Sequence, residues 1–114
     1  MELNVQQLDD GTRYVVLTGR MDLGGTQMID HKFTAATATT AAPVVVDMAA
    51  VSFLASIGIR TLLQNAKALK QRGGRMVLLN PMADVESVLQ STGIADLIPI
   101  CRDIESACAA ARAV

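Results

Sequence analysis

The spacing of apolar positions changes several times along the chain, and each change marks a predicted element. Leu3 and Val5 alternate with polar residues, Asp9-Asp10-Gly11 supplies turn chemistry, and Tyr14-Val15-Val16-Leu17 follows as a β-branched and aromatic run. This pattern predicts two antiparallel strands joined by a hairpin. Gly24-Gly25 then breaks the chain, and Thr26 is placed to cap a helix with Ile29, Phe33 and Ala36 at i, i+4 and i+7. From Ala35 to Ala42 the chain alternates Ala with Thr. That composition has middling helix propensity, so the helix is expected to fray there and to end by Pro43.

Three β-branched residues, Val44-Val45-Val46, stand in front of Asp47 and predict a central strand buried on both faces. A second apolar stretch runs from Val51 to Ala55, and the period then becomes helical. Ile59, Leu62, Leu63, Ala66 and Leu69 share one face, with Arg60, Gln64, Lys67 and Gln71 opposite. Ser56 sits where an N-cap belongs, and Gly73-Gly74 is placed as the C′ glycine. Arg75 to Leu79 predicts another strand, closed by Asn80-Pro81, and Val85, Val88 and Leu89 predict a short helix ahead of Gly93. Leu97 to Ile100 is expected to be a last edge strand, because Pro99 interrupts it. Asp103 caps a final helical stripe of Ile104, Ala107, Cys108 and Ala111. The order ββαβαβαβα implies an α/β fold: a small, mostly parallel sheet with an antiparallel N-terminal edge strand and helices packed on it. Residues 1–114 are expected to form a single domain.

Composition narrows the function classes. With 51% hydrophobic and 18% charged residues, the chain has the material for a core and lacks the signature of disorder. A net charge of −1 gives no global argument for nucleic acid or a membrane surface. No apolar run approaches the roughly 20 residues that span a bilayer, so no membrane insertion is expected. The N-terminus lacks the basic and apolar regions of a signal peptide, and a cytoplasmic location is expected. The charges are unevenly placed. Between Asp47 and Asp84 there is no acid, whereas Arg60, Lys67, Lys70, Arg72 and Arg75 all fall there. A solvated helix face explains part of this block, and no aromatic residues interleave it as single-strand binding would require.

Catalytic chemistry finds little footing. The sole histidine, His31, lies between Asp30 and Lys32 and reads as solvated. Cys101 and Cys108 with one distant histidine do not make a zinc site, and Cys108 reads as a small core residue. Neither glycine pair has the offsets of a Walker loop or a dinucleotide fingerprint. A small enzyme of flavodoxin-like build would need a bound cofactor. No catalytic residue, metal or cofactor is expected.

The informative stretch is Val51-Ser52-Phe53-Leu54-Ala55-Ser56-Ile57-Gly58-Ile59-Arg60, where a strand runs into the strongest helix. Such junctions are where α/β folds present sites. Ser56 is the candidate functional residue, against the alternative that its hydroxyl only caps the helix. Phe53 and Leu54 read as the apolar centre of a partner interface or as core packing, and Ile57 as either. Arg60, one turn beyond Ser56, is placed to meet an acidic patch or a phosphate.

Leu17-Thr18-Gly19-Arg20-Met21-Asp22, Val44-Val45-Val46-Asp47, the stretch just quoted, and Asn80-Pro81 through Ser91-Thr92-Gly93-Ile94 together resemble a STAS domain. The resemblance runs from about Leu3 to Ala110 and is closest to the anti-sigma factor antagonists of bacterial partner-switching pathways. It implies that a serine at the start of the second helix, here Ser56, is phosphorylated by an anti-sigma factor that is a serine kinase with a histidine-kinase-like ATPase fold. A metal-dependent serine phosphatase would reverse the modification, and the unphosphorylated form would bind the kinase. The family motif Asp-Ser-Ser/Thr-Gly falls on Ala55-Ser56-Ile57-Gly58, so the acid and the second hydroxyl are replaced. Asp22 matches the acid of the family's earlier loop, while Arg20 stands where that loop often has another. The expected partner surface is Asp22, Phe53, Leu54, Ser56, Ile57, Gly58 and Arg60. The alternative implied is a STAS scaffold subunit of a larger complex such as a transporter, working without phosphorylation.

Overall fold

A computed structural model describes residues 1–113 of the chain. Five strands form one sheet in sequence order: β1 (Glu2–Gln7), β2 (Arg13–Met21), β3 (Pro43–Leu54), β4 (Arg75–Leu79) and β5 (Ile100–Cys101). β1 pairs antiparallel with β2, and every other pair is parallel. The connections carry α1 (Leu23–Thr37), α2 (Ser56–Gln71) and α3 (Ala83–Ser91), and α4 (Ile104–Arg112) closes the chain. The α/β fold with its antiparallel N-terminal edge is the one the hydrophobic pattern implies.

The valine triplet shows why the sheet is covered on both sides. Val44 and Val46 point into a large core with Phe33, Leu62, Leu69 and Leu89, while Val45 points into a smaller one with Ala107, Cys108 and Ala111. All three valines are fully buried. Thus α1, α2 and α3 cover one face and α4 covers part of the other, and the period-2 alternation of a strand feeds both.

Several local expectations are corrected. Asp47 does not follow a strand; β3 runs through it without a break to Leu54. Its carboxylate is accounted for inside the sheet, accepting the Tyr14 hydroxyl and, at 2.9 Å, the Ala49 N–H. Burial first, and then this bond to a carboxylate, push the Tyr14 phenol up to about 12. α1 ends at Thr37, well before Pro43, and the Thr37 and Thr39 hydroxyls bond back to the carbonyls of Phe33 and Ala35 at 2.7 Å. Such back-bonding competes with continuation of the helix. The last strand is Ile100–Cys101 rather than Leu97 to Ile100, because a 3₁₀ turn over Ile94–Asp96 uses up the chain before it. Pro99, which has no N–H to give, contributes only its carbonyl, accepting from Leu78 at 2.9 Å.

The C-terminus of α2 is as expected. Gly73 adopts φ +92°, its N–H donates to the Lys70 carbonyl at 3.0 Å, and the Gly74 N–H donates to that of Leu69 at 2.9 Å. This paired pattern is a Schellman cap.

Candidate functional site

β2 and β3 are parallel neighbours that end together. Met21 lies opposite Leu54, and the Ala55 N–H donates to the Met21 carbonyl at 3.0 Å. The first turns of α1 and α2 therefore leave the sheet side by side at its C-terminal edge. Their glycines make this possible. A Cβ on Gly58 would lie 2.8 Å from both Leu54 Cδ1 and Met21 Cγ and 3.1 Å from the Met21 carbonyl, and one on Gly25 would overlap the Arg20 carbonyl.

The two helix starts are finished differently. α1 is capped by Asp22, not by Thr26, which lies within the first turn and is buried; Gly24 and Gly25 belong to the helix rather than break it. Asp22 Oδ1 accepts the Gly25 N–H at 2.8 Å, and Oδ2 lies 3.4 Å from Arg20 Nε. The Gly25 N–H, and after it the Arg20 guanidinium, hold the Asp22 carboxyl below the usual carboxylate range. In α2 the cap is Ala55, which has no side-chain acceptor, so the expected capping role of Ser56 does not occur. Ser56 is instead the first helical residue and is exposed.

Around Ser56 the predicted partner residues divide. Phe53 is 40% exposed, with the Arg20 guanidinium 4.4 Å from its ring centroid, a cation–π distance. Asp22 and Ile57 are half-buried and Arg60 is exposed. Leu54, only 5% exposed, packs in the large core, and Gly58 is buried beneath the first turn. Those two cannot offer surface to a partner; they hold the site against the sheet. Arg20 was not among the expected site residues. It is found through strand register, which sets Arg20 opposite Phe53, and the length of its side chain then spans from that ring to Asp22.

Elsewhere the chemistry stays sparse. His31 is exposed on α1, Cys101 is half-buried and Cys108 buried. Among the described residues no group of His, Cys, Asp and Glu is placed to hold a metal, and no helix is long and apolar enough to cross a membrane.

Comparison with known proteins agrees with this geometry. BtrV of Bordetella bronchiseptica, named for an inferred role as an anti-sigma factor antagonist, is 26% identical over 110 residues, covering 96% of this chain and 94% of its own. An anti-sigma factor antagonist from Mycobacterium paratuberculosis superposes with a TM-score of 0.86 at 22% identity, over 98% of this chain and 94% of the other. The anti-sigma factor antagonist SpoIIAA in its unphosphorylated form gives 0.77 at 23% identity, over 99% of each chain. The murine anion transporter Slc26a9 also contains the fold, with a TM-score of 0.75 at 20% identity, over 91% of this chain but 18% of the transporter. These structural likenesses show the shared fold. The STAS domain profile matches residues 4–107, and the chain belongs to the STAS domain family.

Proposed function

We propose that this chain, read as one domain over residues 1–114, binds an anti-sigma factor in its unphosphorylated form and is released when Ser56 is phosphorylated. The partner is a serine kinase with a histidine-kinase-like ATPase fold, and a metal-dependent serine phosphatase restores the binding form. One observation carries this reading: Ser56 is exposed at the first residue of α2, in a first turn that no side chain caps. SpoIIAA, which shares the fold, exists in unphosphorylated and phosphorylated forms.

The charge physics supports a switch that leaves the fold intact. A phosphoserine adds about −1.5 to −2 charges at pH 7, each oxygen a strong acceptor. At the start of α2 it meets unclaimed N–H groups and the positive end of the helix dipole, so the helix tolerates it. The partner does not. A dianion carried into an interface centred on Phe53 and Ile57, with Asp22 and Arg60 at its border, loses more hydration than the apolar partner surface returns and is repelled by Asp22. A hundredfold loss of affinity needs only about 2.7 kcal/mol.

Ser56→Asp should therefore keep the fold and weaken kinase binding about a hundredfold, whereas Ser56→Ala should bind but resist phosphorylation. Calorimetric titration of the three proteins checks the first point, and mass spectrometry after incubation with kinase and ATP checks the second. Equal affinities, or phosphate found only on Ser52 or Thr61, would overturn the assignment.

A second reading, a scaffold segment of a transporter complex, is favoured by Ala55 and Ile57 in place of the acid and hydroxyl and by the likeness to Slc26a9. A chain left unmodified by its kinase, together with undiminished binding by Ser56→Asp, would move the assignment there.

A further inference from the structure

At the opposite end of the sheet from Ser56, a groove of about 730 Å3 opens between the end of α2, the start of β4 and the end of α4. Its volume falls within the range of small-molecule sites. The accessible apolar wall is the 65%-exposed Leu97 with Ala41, Pro43 and Ala66, over a buried floor of Met76 and Ile98, and the charged lining is three cations, Lys70, Arg75 and Arg112, against one carboxylate, Asp10. That carboxylate is already engaged: Arg112 pairs with it, and it accepts the Thr12 N–H at 2.9 Å. Lys70 and Arg75 form no ion pair among the described residues, although the Arg75 guanidinium donates to the Ala113 carbonyl at 3.5 Å.

The negative end of α2, which would otherwise attract Lys70, is also satisfied. The carbonyls of Ala68, Lys70 and Leu69 accept from the N–H groups of Arg72, Gly73 and Gly74 respectively, the last two forming the Schellman cap. Two positive charges thus border the groove with no anionic partner among the described residues. They belong to the acid-free run between Asp47 and Asp84, which the exposed face of α2 explains only in part.

We propose that this groove binds a soluble phosphate monoester carrying a short apolar body. A phosphate monoester is close to a dianion at pH 7, since its second pKa is about 6, and it matches two cations that have no ion-pair partner among the described residues better than a carboxylate does. Leu97, Ala41, Pro43 and Ala66, the accessible apolar lining, accept the apolar body, whose burial adds affinity that the head alone lacks.

Hexyl phosphate is a suitable probe, titrated below its micellar concentration into the isotope-labelled full chain and followed by amide NMR shifts. Saturable shifts are expected at Gly73, Gly74 and Met76. The double variant Lys70→Gln/Arg75→Gln, confirmed as folded by circular dichroism, should weaken binding about tenfold or more, and inorganic phosphate should bind about tenfold more weakly than the alkyl ester. Ser56→Asp should titrate as the parent does, so this result stands apart from that of the kinase experiment. The proposal fails if no saturable shift appears, if the double variant binds equally well, or if hexyltrimethylammonium gives the same response. It also fails if inorganic phosphate binds as tightly as hexyl phosphate, or if the chain sediments with phosphatidylglycerol vesicles without responding to hexyl phosphate.

Discussion

The first turns of α1 and α2 are the same construction finished in two ways. Each follows a parallel strand, each has its cap where the strand ends, at Asp22 and at Ala55, and each has glycine three residues after the cap, Gly25 and Gly58. In α1 the cap is a carboxylate that takes the Gly25 N–H and draws in Arg20. In α2 the cap is a methyl group, and the exposed serine stands next to it. The closed turn satisfies a donor from its own side chain; the open one has no side-chain acceptor at its cap. Two adjacent turns with one geometry can therefore carry different duties through a single side chain.

The glycines test whether the two turns are equally tight. Gly25→Ala puts a methyl onto the Arg20 backbone carbonyl, which cannot move without shifting β2, and should cost about 3 kcal/mol. Gly58→Ala meets the end of the buried Leu54 side chain, the middle of the buried Met21 side chain and, less closely, the Met21 carbonyl, and should cost about 2 kcal/mol. Urea unfolding at constant m-value measures both, and equal losses would remove the distinction. A smaller effect comes from finishing the open turn: Ala55→Asp, which puts back the acid of the family motif, should stabilise the chain by about 1 kcal/mol. A protein no more stable than the parent would mean that the bare first turn is already satisfied.

The smallest difference is in acid. Because the folded Asp22 carboxyl lies below its ordinary value, its contribution is complete above that ordinary value and disappears as pH falls through the lowered one. The first turn of α1 should then lose amide protection in acid while that of α2 stays unchanged, and Asp22→Asn should abolish the dependence. Hydrogen exchange at several pH values separates the two helices.

How much of this could be read from residues alone depended on how local the cause was. The face of α2 from Ile59 to Leu69, its glycine stop and the Asp103 cap of α4, whose carboxylate accepts the Ser106 N–H at 2.8 Å, all follow from neighbours within one or two turns. The helix starts did not. Serine is the better capping residue, yet Ala55 takes the cap because its N–H is committed to Met21 on the neighbouring strand. Gly24-Gly25 looked like a break because the crowding at Gly25 comes from the Arg20 carbonyl, visible only once the turn is built. Within the site, Ser56 and Arg60 are legible as positions at a strand-to-helix junction, whereas the sequence leaves Phe53 between interface and core and only the structure shows it exposed. The burial of Leu54 follows the strand's facing, and the Arg20–Phe53–Asp22 contact follows its register.

β3 pairs with β4 only from Pro43 to Asp47, while β2 accompanies it to Leu54. One strand therefore has an inner half held from both sides and an outer half held within the sheet by a single neighbour. Local opening costs less where fewer neighbours must be released. The amides of Val44 to Val46 should exchange on the timescale of global unfolding, and those from Val51 to Phe53 much sooner. Ser56 hangs from the compliant half, so a kinase could draw the serine into its active site without disturbing the valine core.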